Sequence, residues 1–201
     1  RTLRAWSGHP NLTVIDNSIN FEEKINNAIN AIYRVVGQPQ PMGKKRKFLV
    51  KMPDVQLIGT KYSAARIEMS QTYLAMLNPK VERRVRIQNS GGEDMYFYTE
   101  KNFMPDGTKW ATEKPISKKR YMRYLMESGE ELCYVNKTKH RFMFNGCRCE
   151  LDVYPFSEDK AILICYTGEE DFALPEGIEL IKEVTGAAEY KNRQLAMTHK
   201  L

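Results

Sequence analysis

The stretch KTKHRFMFNGCRCELDVY, residues 137–154, leaves a chain little freedom, because two alternating runs meet at Asn145-Gly146. A two-residue hairpin turn needs positive φ at both central positions, which Asn and Gly adopt at low cost. A turn there pairs Phe144 with Cys147 and so fixes every other pair. Arg141 then faces Glu150 and Lys139 faces Asp152, with Lys137 further along the same side. The other side carries His140, Phe142 and Phe144 against Cys147, Cys149, Leu151 and Val153. One face is charged with both signs; the other is apolar, with His140 as a packed core histidine.

The same alternation recurs through most of the chain. ERRVRIQ places Arg84 and Arg86 on one side and Val85 and Ile87 on the other. MYFYTEK sets Thr99 with Lys101, and KRKFLVK sets Lys45 with Lys47. ARIEMSQTYLAML reads as a strand and AILICYT as another, while Asn89-Ser-Gly-Gly-Glu-Asp94 is a turn. One helix interrupts them: Ser117 caps it, Ile116 and Tyr121 form a hydrophobic staple, and Tyr121, Met122, Leu125 and Met126 face inward. The class is α+β, mainly antiparallel β.

Residues 1–38 read differently. Leu12-Thr-Val-Ile15 is a short strand-type run, Asn20 and Glu23 form a capping box, and Ile25, Ala28, Ile29, Ile32, Tyr33 and Val36 make a helical stripe. One strand and one helix cannot bury their own apolar faces, so this unit leans on something else. Residues 39–43 are a linker, and 44–201 form the main domain.

Charged strand faces usually meet water, and cross-strand ion pairs then add about 0.2–1 kcal/mol each. The alternative is a closed barrel whose polar lumen holds a polyanion, with helices over the apolar outside. The net charge of +6 favours an anionic partner. No apolar run reaches the roughly 20 residues of a membrane-spanning helix. The four cysteines lack the spacing of a zinc site and read as free thiols of a reducing compartment.

Arg46-Lys-Phe-Leu-Val50, Arg84 and Arg86 in VERRVRIQ, TEKPIS, the Lys-Thr-Lys of KTKHRF, Glu150-Leu-Asp152 and Glu183-Val-Thr185 follow one another as in CYTH domains, the triphosphate tunnel family. The resemblance covers residues 44–198. It implies an eight-stranded closed tunnel barrel with flanking helices, in which basic residues grip phosphates and acidic ones hold a divalent metal such as Mg²⁺. The phosphate-binding residues it implies are Lys47, Arg84, Arg86, Lys101, Lys137, Lys139 and Arg141; the metal candidates are Glu150, Asp152 and Glu183. SGHPNLTVIDNSINFEEKI resembles the last strand and helix of the P-loop nucleotide-binding domain that precedes a CYTH-like domain in the TRPL translocation defect protein family. That resemblance implies a GTP- and phosphoinositide-binding protein of membrane trafficking, cytoplasmic and peripheral at membranes. The chain has no G-x-x-x-x-G-K-[ST] run, so residues 1–38 are expected to be a remnant of that domain, the GTP site lying in the missing part.

The family's catalytic signature is two alternating glutamates and a lysine just before the Phe-Leu. Here those positions hold Gly43, Lys45 and Lys47, and the late strand carries Cys165 where a further carboxylate is expected. Binding of a phosphoinositide headgroup or nucleotide without hydrolysis is therefore the expected function. The rivals are a metal-dependent triphosphatase using Glu150, Asp152 and Glu183, an RNA-binding module, and a protein scaffold. RNA is disfavoured because no RNP-type motif occurs and the basic faces also carry acids.

Overall fold

Asn145 and Gly146 take φ angles of 47° and 74°, the left-handed pair that a tight hairpin turn requires. The register that follows pairs Phe144 with Cys147, Arg141 with Glu150 and Lys139 with Asp152, as the alternation predicts. In this computed structural model, residues 12–15, 21–35, 40–41, 45–75, 78–128, 133–167 and 171–201 are described.

The elements in chain order are α1 (Phe21–Val35), β1 (Gln40–Pro41), β2 (Arg46–Lys51), α2 (Val55–Lys61), β3 (Ala65–Tyr73), β4 (Val81–Asn89) and β5 (Asp94–Phe103). They continue as β6 (Lys109–Ile116), α3 (Lys118–Glu127), β7 (Cys133–Phe144), β8 (Cys147–Val153), β9 (Lys160–Cys165), β10 (Leu180–Glu183) and α4 (Asn192–Thr198). The strands form one sheet in the order β1-β6-β5-β4-β3-β7-β8-β9-β2-β10, every neighbour antiparallel.

Among the described residues this ladder has ten strands and two ends, where the expectation is eight strands in a closed ring. The additional strands come from the margins of the pattern. Gln40 and Pro41, expected as linker, pair with Ala111 and Trp110, using the free edge of β6. Leu12–Ile15 forms no strand. Asn20 and Gly43 lie outside the described residues.

The sheet is strongly curled. Lys101 on β5 and Lys45 beside β2 are six ladder steps apart, about 29 Å in a flat sheet. Charges that far apart are screened from one another, yet Lys45 acts on Lys101, and Arg84 acts on Lys45. The sheet must therefore fold over so that its two halves share one concave face.

Apolar packing follows from the alternation. On the convex side Phe48, Val50, Phe142, Leu151 and Leu163 cluster with Ile58 of α2. Asp54 caps that helix by accepting hydrogen bonds from the amides of Gln56 and Leu57. A second convex cluster joins Val85 and Tyr98 to Tyr121 of α3, whose N-cap Ser117 accepts from the Arg120 amide at 3.3 Å. α4 packs instead on the concave side. Its Leu195 and Ala196 are buried against Leu49, Tyr73, Val135, Tyr154 and Ile162, covering an apolar end of that face. Full burial of a leucine side chain contributes about 1.5–3 kcal/mol. On α1, Phe21, Ile25, Ile29 and Ile32 are exposed.

Candidate functional site

Alternation puts Lys47, Arg84, Arg86, Lys101, Lys137, Lys139 and Arg141 on the concave face, from four different strands. The same parity adds Lys45 and Arg148, which the sequence pattern does not single out as ligands. Four carboxylates accompany them: Glu82, Glu113, Glu150 and Asp152. Among the described residues the cations are in clear excess.

The excess is unevenly distributed. At the hairpin every cation has a carboxylate partner, although two carboxylates serve four cations: Lys137 Nζ lies 2.5 Å from Asp152, Lys139 binds Glu150 and sits 3.3 Å from Asp152, and Arg148 lies 3.7 Å from Glu150. Arg141 Nε donates to Glu150 at 3.2 Å, and the Tyr166 hydroxyl donates to the same carboxylate at 3.2 Å. Burial works to protonate Glu150, but Lys139, Arg141 and Arg148 overcome it and hold the carboxyl well below its usual range. Lys137 and Lys139 do the same for Asp152.

Across the face, matching is poorer. Arg86 donates to Glu113 at 3.0 Å and Lys101 to Glu82 at 2.8 Å. Neither Arg84 nor Lys45 has a direct ion pair among the described residues. The buried Nε atoms of Arg84 and Arg86 have no hydrogen-bond acceptor, and that of Arg148 has only Glu150 at 3.7 Å, beyond hydrogen-bond reach. Burial, reinforced by Arg84, lowers Lys101 to about 8, and burial with Lys137 nearby lowers Lys47 to about 7. Burial likewise lowers Lys137 to about 8, against the pull of Asp152. Lys139 moves the other way: burial opposes its charge, but Asp152 and Glu150 together outweigh it.

These shifts carry a sign that can be measured. A lysine whose folded pKa lies below its unfolded value of about 10.4 binds fewer protons when folded, so stability rises with pH between the two values. Without ligand, the free energy of unfolding is expected to increase from about pH 7 to about pH 10. Urea titrations across that range check it; a flat or falling profile means the lysines are ordinarily solvated.

Glu183 does not join Glu150 and Asp152. Its carboxylate binds Arg46 at 2.5 Å and accepts from the Thr185 hydroxyl at 2.6 Å, on the exposed edge strand β10. Cys165 also departs from expectation, for its side chain is fully buried in the convex cluster, 3.4 Å from the Cys149 sulfur. The concave neighbours on β9 are Ile162 and Ile164, because strand neighbours alternate faces. A hard cation such as Mg²⁺ needs several free oxygen ligands. Glu150 and Asp152 are already engaged by ammonium and guanidinium groups. Among the described residues, no three His, Cys, Asp or Glu side chains come together where they could share a metal. The residues present do not fit the ion that the resemblance implies.

The sequence matches no family model and no curated protein. Solved structures show partial similarity. PH1819 protein from Pyrococcus horikoshii OT3 is 19% identical, with a TM-score of 0.46 over 64% of this chain and 80% of that one. A candidate adenylate cyclase from Bacillus halodurans is 14% identical, with a TM-score of 0.41 over 64% of this chain and 84% of its own. Another from Vibrio parahaemolyticus is 12% identical, with a TM-score of 0.40 over 79% and 88%.

Proposed function

We propose that the concave cationic face binds a multiply phosphorylated small molecule, a phosphoinositide headgroup or a nucleotide, and does not hydrolyse it. The observation that carries this reading is the set of buried arginine Nε donors without acceptors, on a face where ammonium groups crowd one another. An unpaired buried donor is costly, and like charges brought together raise that cost; an anion rich in acceptor oxygens relieves both. Guanidinium forks suit phosphate oxygens in particular.

The lack of turnover follows from the ligand set. In-line attack on a phosphoryl group relies on metal ions to neutralise developing charge. Here the two central carboxylates are committed to lysines, and Lys45 occupies a position where the resembled family has a glutamate. In the wider reading, the chain belongs to a CYTH-like, GTP-linked trafficking protein, cytoplasmic and peripheral at membranes, with a P-loop domain ahead of it. The resemblance of the N-terminal segment supports that part. The described residues contain no helix long and apolar enough to cross a membrane.

Isothermal titration with ATP, tripolyphosphate and a soluble inositol trisphosphate tests the core of the proposal. Binding is expected for at least one of them, weakening steeply with added salt because ionic strength screens the attraction. Phosphate release with Mg²⁺ or Mn²⁺ is expected to stay at the buffer rate. Robust metal-dependent release that Asp152→Asn abolishes would instead establish a triphosphatase.

A further inference from the structure

Along β4 the concave face changes character in three steps. Arg84 stands between Tyr73 and Thr99, Arg86 between Gln71 and Phe97, and Gln88 between Met69 and Met95. Alternate residues of a strand are about 6.8 Å apart, so the row spans roughly the length of a small phosphorylated molecule. The first two positions present guanidinium charge. The third presents a neutral amide between two thioethers, with no charged side chain directly opposite it on either neighbouring strand.

Gln88 is 1% exposed, and its Nε2 has no hydrogen-bond partner. A glutamine confined this way is less favourable than an apolar residue of similar volume, because the donor has given up water and gained nothing. Its cover is of an adaptable kind. Met69 and Met95 are unbranched, and such side chains change rotamer easily, so a ligand can part them at small cost. What the amide offers is a hydrogen bond without charge, suited to a hydroxyl, ring or carbonyl oxygen. Two methionines around it offer a polarisable apolar wall.

We infer that Met69, Gln88 and Met95 form a subsite for the uncharged organic part of a phosphate ester whose phosphates lie at Arg84 and Arg86. This rests on the binding proposed above and narrows it: the preferred ligand is an organic phosphate ester and not inorganic polyphosphate. Within that class, a nucleotide and an inositol phosphate share the required chemistry, with phosphates at one end and neutral oxygens at the other.

The test uses Gln88→Met, which removes the donor, conserves volume and extends the methionine wall. ATP, a soluble inositol trisphosphate and tripolyphosphate are titrated into wild type and variant, with melting curves to confirm folding. In wild type, at least one ester is expected to bind more tightly than tripolyphosphate. In Gln88→Met that ester is expected to lose about tenfold, while tripolyphosphate stays within about twofold, since one hydrogen bond is worth about a factor of ten. The melting temperature is expected to hold or rise. If the variant melts early, Gln88→Leu serves as a second apolar replacement under the same criteria. Tripolyphosphate binding tightest in wild type overturns the subsite, as does an equal loss for all three ligands or no loss at all. If no ligand binds wild type, the phosphate reading itself fails, and the subsite with it.

Discussion

Replacing Asp152 with alanine is expected to destabilise the protein by about 3–5 kcal/mol, the usual cost of leaving a buried charge without its partner. Asp152 is fully buried and neutralises Lys137, which is itself only 5% exposed, while Lys139 shares it with Glu150. Adding Lys137→Met to Asp152→Ala is expected to recover at least half of the loss, because a buried ion pair replaced by apolar groups is often close to neutral. Urea unfolding of wild type and the two variants checks both expectations. A loss below about 1 kcal/mol would place the pair among weak, solvated ion pairs. The same alanine substitution is expected to tighten polyanion binding, since it removes a negative charge and leaves the cations. Stability and affinity should thus move in opposite directions.

Arg84→Ala and Arg86→Ala are each expected to weaken binding of the tightest phosphorylated ligand by about 1–3 kcal/mol, the range for hydrogen bonds to charged groups. Arg84 is expected to matter more. Arg86 spends part of its hydrogen bonding on Glu113 and lies over the Phe97 ring at 4.5 Å, whereas Arg84 has no carboxylate partner among the described residues. Without ligand, Arg84→Met is expected to raise thermal stability, because it removes a charge that opposes its neighbours and a donor without an acceptor. Calorimetry and melting curves on the same protein measure both. Affinity untouched by either substitution would move the site off the concave face, to Lys118, Lys119 and Arg120, which are exposed on α3.

The legible parts of the fold were those where two local signals agree. At the hairpin, turn chemistry and alternation converge, so the register could be read residue by residue, whereas the pattern alone left open whether its charged face meets water or is buried. At α3, the Ser117 cap and the spacing of Tyr121 and Leu125 converge likewise, but Met122 and Met126, expected on the inward side, are 48% and 81% exposed because the buried stripe is narrower than the apolar one. β6 was missed because KWATEKPI mixes Lys, Glu and Pro and is held by its neighbour β5, a tertiary cause that no local pattern carries. Its omission hid Glu113, the partner of Arg86. α2 has only seven residues, and its clearest sign was Asp54. Arg148 could have been found, since it shares the parity of Glu150. Gln88 carried no signal, because an uncharged residue two positions beyond a pair of arginines looks like the end of the pattern. Its significance appears only when its burial is known.

The order of elements along the chain also bears on how the molecule is made. α4 follows every strand it covers. A nascent chain that has emerged through β10 holds Leu49, Tyr73, Val135, Tyr154 and Ile162 without their cover. β2, near the start of the domain, stays an open edge until β10 arrives more than a hundred residues later. Biosynthesis therefore passes through a stage in which an apolar hollow and an unpaired strand are presented together. Such surfaces invite association with other nascent chains and with chaperones. The hollow is relieved only when Leu195 docks, so the apolar end of the concave face is completed by an element that is synthesised after all of its strands.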